Sequence, residues 1–144
     1  FVRHAVGGIE VVDDAYNANP ESMRASLETF GEIAADADRR IVVLGGMREL
    51  GVRSSALHEE VGAFAARVAD VLVLVGDEDA AAIGRGALEA GFKGVPHQVA
   101  DRAAAAALLA ARVAVGDAIL FKGSRAVGLD RVVLSVLEEW EARG

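Results

Sequence analysis

The sequence predicts a doubly wound α/β domain, a mostly parallel sheet with helices on both faces. Three observations predict it. Short β-branched runs alternate with longer stretches of helical periodicity over the whole chain. Two of the runs, Ile41-Val42-Val43-Leu44 and Val71-Leu72-Val73-Leu74-Val75, are apolar at every position, as strands covered on both faces are. Polar residues gather just after the runs, where open α/β sheets hold their ligands. With 144 residues and 53% hydrophobic content the chain has enough apolar side chains for one core, so residues 1–144 are read as a single domain.

In chain order, residues 9–12, 41–44, 71–75, 95–99 and 118–121 read as five strands. Pro96 cannot donate to a ladder and puts the fourth of them near an edge. Met23, Leu27, Phe30 and Ala34 recur at helical spacing, and the helix they define starts cleanly, with Asn19 as N-cap, Pro20 at the first helical position and Glu21 complementing the helix dipole. Leu57, Val61, Phe64, Ala65 and Val68 give a second apolar stripe, for which Ser54 or Ser55 is the expected cap. Asp101 caps an alanine-rich helix ending in Leu108 and Leu109. In the last helix Leu129, Val132, Val133, Val136, Leu137 and Trp140 share a face, with Glu138, Glu139 and Glu141 off it, and Trp140 is expected to anchor the core.

Composition removes several function classes. The 22 acidic residues against 15 basic ones, a formal charge of -7, oppose the phosphate neutralisation that nucleic-acid binding relies on. A single nucleotide stays compatible, since a few local donors can hold it. With no cysteine there is no disulfide or thiolate metal site, which fits a reducing, cytoplasmic setting. No apolar run approaches the roughly 18 residues that span a bilayer, and Arg3, His4 and Glu10 break the amino-terminal stretch. The first residue is not Met, and Phe1 is read as a cut point. The sequence holds no G-x-x-x-x-G-K-[ST] phosphate loop, no G-x-S-x-G elbow and no dense cluster of His and carboxylates.

Three segments at strand ends carry chemistry. The first strand runs into Asp13-Asp14-Ala15-Tyr16-Asn17-Ala18-Asn19-Pro20. Neighbouring carboxylates there repel each other and sit where an acidic side chain can bind ribose hydroxyls. The second segment is Leu44-Gly45-Gly46-Met47-Arg48-Glu49-Leu50-Gly51, followed by His58 on a helix. Read alone, it is a tight turn with a solvated ion pair and a structural His, or a ligand loop. In the third, Leu120-Phe121-Lys122-Gly123-Ser124-Arg125, two cations flank a Gly-Ser turn leading into a helix. That combination offers an anion backbone N–H groups, a hydroxyl and positive charge, and it equally suits Ser124 as an N-cap with both cations in solvent.

Taken together and in this order, the three segments resemble the carboxyl-terminal domain of the Mur ligase family, Rossmann-like in fold. The long ungapped run from Val11 to Met23 points to the branch that adds D-alanyl-D-alanine to UDP-N-acetylmuramoyl-tripeptide in peptidoglycan precursor synthesis. The resemblance covers essentially the whole chain. It implies that a first domain, binding the sugar peptide, and a central domain, carrying the phosphate loop and Mg2+ ligands, lie outside these residues. It also implies the reaction: ATP converts the tripeptide's terminal carboxylate to an acyl phosphate, and the dipeptide amine attacks it, giving amide, ADP and phosphate. Asp14 would bond the ATP ribose, and Tyr16 and Asn17 would border the adenine. Arg48, His58, Lys122, Ser124 and Arg125 would line the dipeptide's side of the cleft. No catalytic or metal-binding residue is expected within this domain alone, and the family's phosphate-side Arg is expected upstream of Phe1 rather than at Arg3. The rival from another class is a non-catalytic α/β domain that binds a nucleotide or an amino acid, and a purely structural interaction domain ranks third.

Overall fold

The computed structural model describes residues 1–143. Strand β1 (Val2–Val6) turns back antiparallel into β2 (Ile9–Asp14), helix α1 (Pro20–Ile33) follows, and then β3 (Arg39–Gly45), α2 (Ser54–Ala65), β4 (Val71–Val75), α3 (Glu78–Glu89), β5 (His97–Val99), α4 (Arg102–Arg112), β6 (Asp117–Lys122) and α5 (Leu129–Arg143). The sheet order is β1-β2-β6-β3-β4-β5, and every pairing except β1 with β2 is parallel. Strand β5 closes one edge, where the run beside Pro96 was expected, although Pro96 itself stays just outside the ladder.

Alternation along each strand divides the core into two layers. Val12, Val42, Leu44, Ala118 and Leu120 face α1, α2 and α3, where Met23, Leu27, Phe30, Val61 and Ile83 meet them. Val11, Ile41, Val43, Ile119 and Phe121 face α4 and α5, where Leu109, Val132, Val133 and Val136 meet them. The doubly wound arrangement read from the sequence is therefore the observed one. Asn19 caps α1 as expected, and its side chain accepts from the Ser22 amide while the Ser22 hydroxyl accepts from the Asn19 amide. Asp101 caps α4 by accepting from the Ala104 amide at 2.9 Å.

Three expectations need correction. The sheet has six strands, because residues 2–6 form an edge strand whose mixed composition, including Arg3 and His4, reads as irregular from sequence. Gly7 and Gly8, both at positive φ (53° and 86°), make the hairpin turn, and Arg3 pairs with Glu10 across it. Neither Ser54 nor Ser55 caps α2, since a 3-10 turn (Gly51–Arg53) feeds the helix directly and its first N–H groups have no side-chain acceptor. Trp140 is half-buried rather than central, and its indole N–H donates to the Gly7 carbonyl at 3.2 Å, tying α5 to the hairpin. Among the described residues no helix is long and apolar enough to cross a membrane.

Candidate functional site

The loops leaving β2 and β3 run to helices on one face of the sheet, and the loop leaving β6 runs to α5 on the other. Two crevices open where these loops diverge, β2 against β6 and β6 against β3, and all three motif segments converge on them.

In the first crevice Asp14 stands at the end of β2, directly across from Lys122 at the end of β6. Lys122 Nζ lies 3.1 Å from Asp14 Oδ2, and the lysine side chain is 4% exposed. The Ser26 hydroxyl from α1 donates to the same oxygen. A charge buried this deeply is tolerable only when paired, so Lys122 serves Asp14 and is not a free cation for a ligand carboxylate. That corrects the expectation that Lys122 lines the dipeptide's side. Among the described residues the other oxygen, Asp14 Oδ1, accepts no hydrogen bond and so keeps acceptor capacity. Beside it the exposed ring of Tyr16 lies under the Arg125 guanidinium, 5.4 Å from ring centroid to Cζ. Asn17 is exposed, with its side-chain oxygen accepting from the Ala18 amide. Asp13 turns inward on itself, accepting from the Ala15 amide at 3.1 Å. The two aspartates that looked alike in sequence therefore do different things.

The second crevice is a cavity of about 370 Å³ lined by Gly46, Arg48, Val75, Gly76, the Asp77-Glu78-Asp79 start of α3, Ser124 and Val127. The Ser124 amide donates to the Gly46 carbonyl at 3.0 Å, which joins the β6 and β3 loops across its floor. Ser124 itself is 4% exposed, and its hydroxyl has no hydrogen-bond partner. A buried, unpaired hydroxyl is costly in a scaffold and useful in a site that a ligand completes. Ser124 does not cap a helix, because α5 begins only at Leu129 after a turn closed by the Val127 amide on the Ser124 carbonyl. The expected helix start between two cations is therefore absent, and Arg125 belongs with Tyr16 instead. The contribution of Asp77, Glu78 and Asp79 to this lining escaped sequence reasoning. Their place right after the apolar run 71–75 was the available signal.

His58 also departs from expectation. Its side chain is fully buried, so it cannot touch a ligand directly. Its ring nitrogens bond the Met47 amide and the Ser54 carbonyl.

Comparison with known proteins bears on the chain as a whole. The family model described as "Mur ligase, glutamate ligase domain" matches residues 1–125. The UDP-N-acetylmuramoyl-tripeptide–D-alanyl-D-alanine ligase of Mycobacterium leprae is 42% identical over 136 residues, 85% of this chain and 26% of that protein. Its counterpart in Mycobacterium tuberculosis (strain CDC 1551 / Oshkosh) is 42% identical over 143 residues, 87% of this chain and 28% of that one. The crystal structure of a MurF ligase from Thermotoga maritima in complex with ADP superposes with a TM-score of 0.80 at 34% identity, covering 99% of this chain and 31% of that one. MurF from Acinetobacter baumannii gives 0.79 at 27% identity, covering 95% and 30%. The chain thus spans between 26% and 31% of the length of these relatives.

Proposed function

From the premise that the chain belongs to the Mur ligase family, we propose that it is the carboxyl-terminal domain of an ATP-dependent ligase that joins D-alanyl-D-alanine to UDP-N-acetylmuramoyl-tripeptide. The observation that carries the reading is the unpartnered hydroxyl of Ser124 in the crevice between the β6 and β3 loops, beside the Asp14–Lys122 pair in the crevice between β2 and β6. The relatives' names and the ADP-bound structure supply the substrates these would meet.

In this reading the Asp14 Oδ1 accepts a ribose hydroxyl, while Lys122 and Ser26 hold the carboxylate in place through its other oxygen. The Tyr16 ring and the Arg125 guanidinium border the adenine, and Asn17 stands beside them. In the other crevice Ser124 and Arg48 take the dipeptide's carboxylate, and the acidic start of α3 faces its amine-bearing end. That sharing of charge suits a zwitterion better than a plain anion. The domain's contribution to rate is positioning: it holds the amine against an acyl phosphate formed elsewhere in the protein. Among the described residues no three His, Cys, Asp or Glu side chains cluster to hold a metal. By the family resemblance, Mg2+ would be held by ligands outside these residues, and the enzyme would work in the cytoplasm, where nucleotide-linked precursors and ATP are found.

The test uses the full-length protein. With Mg2+, ATP, the sugar tripeptide and D-alanyl-D-alanine it should release phosphate and form the pentapeptide, with each substrate required. The isolated chain should fold and turn over no ATP. Magnesium-dependent ATP turnover by the pure chain, or a full-length protein that binds a nucleotide and forms no amide, would overturn the reading.

A further inference from the structure

Residues 46–54 make an excursion from the sheet that carries Arg48 to the rim of the second crevice. Within it Met47 is buried in the core, Leu50 packs against the same cluster, and Gly46 accepts from the Ser124 amide; the residues around Arg48 have less to hold them. Arg48, Glu49, Gly51, Val52 and Arg53 are exposed, with Val52 fully so, and Glu49 adopts a left-handed φ of 60° that a side chain disfavours. What ties the two ends of the excursion to each other is one buried imidazole. The Met47 amide donates to His58 Nε2 at 2.9 Å, and His58 Nδ1–H donates to the Ser54 carbonyl at 2.7 Å. Since Nε2 accepts, the ring is the Nδ1–H tautomer, and the approach of Asp79 Oδ2 to Nε2, 3.7 Å, is proximity rather than an ion pair. Asp79 also leaves no room for a side chain at residue 46, because a Cβ on Gly46 would collide with its carboxylate. The imidazole therefore sits behind the cavity wall, bonded to the backbone one residue before Arg48.

We propose that His58 is a positioning residue for the second substrate: by clamping Met47 to Ser54 it sets where Arg48 meets the dipeptide, and it touches no ligand itself. This rests on the ligase reading above. The two halves of the clamp can be separated. In His58→Gln a carbonyl oxygen reaches the former Nε2 position and can still accept from Met47. In His58→Asn the shorter amide can still donate to Ser54 and falls short of Met47.

In the full-length enzyme, His58→Gln should keep the dipeptide KM within about threefold of wild type. His58→Asn should raise it about tenfold or more, the loss expected for one buried hydrogen bond, with the ATP KM unchanged within about twofold. Equal dipeptide KM values for the two variants, or parallel losses for ATP and dipeptide, would reduce His58 to a core residue. A second measurement needs no variant. Amide hydrogen exchange of Met47 in the full-length protein should be slow and slow further with dipeptide bound alongside a non-hydrolysable ATP analogue. Exchange at Met47 as fast as at exposed Arg48 in both states would overturn the clamp. A wild-type enzyme that ignores the dipeptide would instead strike at the ligase reading, so the two failures are distinguishable.

Discussion

At the amino ends of β3 and β6, Asp117 spends both carboxylate oxygens inside the protein. Arg39 Nε donates to Oδ1 at 3.1 Å and Arg39 Nη2 to Oδ2 at 2.8 Å, where the Ala114 amide also arrives at 2.8 Å. The hydrogen bond to Asp117 is the largest influence on the Arg39 guanidinium, holding its pKa above the ordinary value against the opposing effect of burial. At the opposite ends of the strands, the Asp14–Lys122 pair is about as close but leaves Asp14 Oδ1 with spare capacity, and Ser124 nearby keeps a hydroxyl without a partner. Both ends carry a carboxylate against a cation. What separates a brace from a site is whether the polar valences are closed.

The sharpest way to break that comparison is to remove each carboxylate in turn. Asp117→Ala strands the Ala114 amide and leaves Arg39 unpaired, and should cost about 2–4 kcal/mol of stability, moderated because Arg39 can reach water. The urea midpoint should fall accordingly, while the KM values of the folded full-length enzyme stay put. A changed ATP or dipeptide KM would mean that the amino-terminal end is not a mere brace. Asp14→Ala should act the other way round, chiefly on function. Loss of a charged hydrogen bond worth about 1.5–3 kcal/mol raises the ATP KM roughly ten- to a hundred-fold, with the sugar-peptide affinity little altered. Some stability is lost as well, because Lys122 is left buried without its partner. An unchanged ATP KM and kcat would return Asp14 to a turn residue.

The same comparison shows what was legible in the sequence. Apolar runs buried on both faces, the Asn19-Pro20 start of α1 and the stripe ending at Trp140 predict elements that depend on short-range periodicity and capping, and those elements are where they were expected. Asp14, Arg48 and Ser124, which the family resemblance singled out, lie at the same end of the sheet. Sequence could not say which polar valences would be closed, because that depends on partners far along the chain. Lys122 meets Asp14 across 108 positions, and Arg39 meets Asp117 across 78. Lys122 and Arg125 looked equivalent on either side of Gly123-Ser124, yet the strand pleat buries one against Asp14 and the turn turns the other out over Tyr16. A lone His on a helix reads as structural, and only the resemblance put His58 on the dipeptide's side. Its helix, however, directs the ring at the backbone of the Met47 loop and away from solvent.

Ser124 offers the finest cut between a brace and a site, because here the two roles predict opposite signs. If its hydroxyl were structural, Ser124→Ala would remove a hydrogen bond and destabilise the fold. The hydroxyl has no partner, though, so its burial costs the unliganded protein free energy, and alanine should leave stability unchanged or raise it by up to about 1 kcal/mol. With substrate the sign reverses. A ligand group that completes this valence loses it in the variant, and the dipeptide KM of the full-length enzyme should rise by up to about tenfold, while ATP, bound in the other crevice, is unaffected. Ser124→Cys should resemble alanine, since a thiol fills the space but donates weakly. The measurement pairs a denaturation midpoint with dipeptide affinity in the presence of the sugar peptide and a non-hydrolysable ATP analogue. A variant both less stable and equally able to bind dipeptide would place Ser124 with Asp117 among the braces, and among the described lining residues it would leave the carboxylate to Arg48.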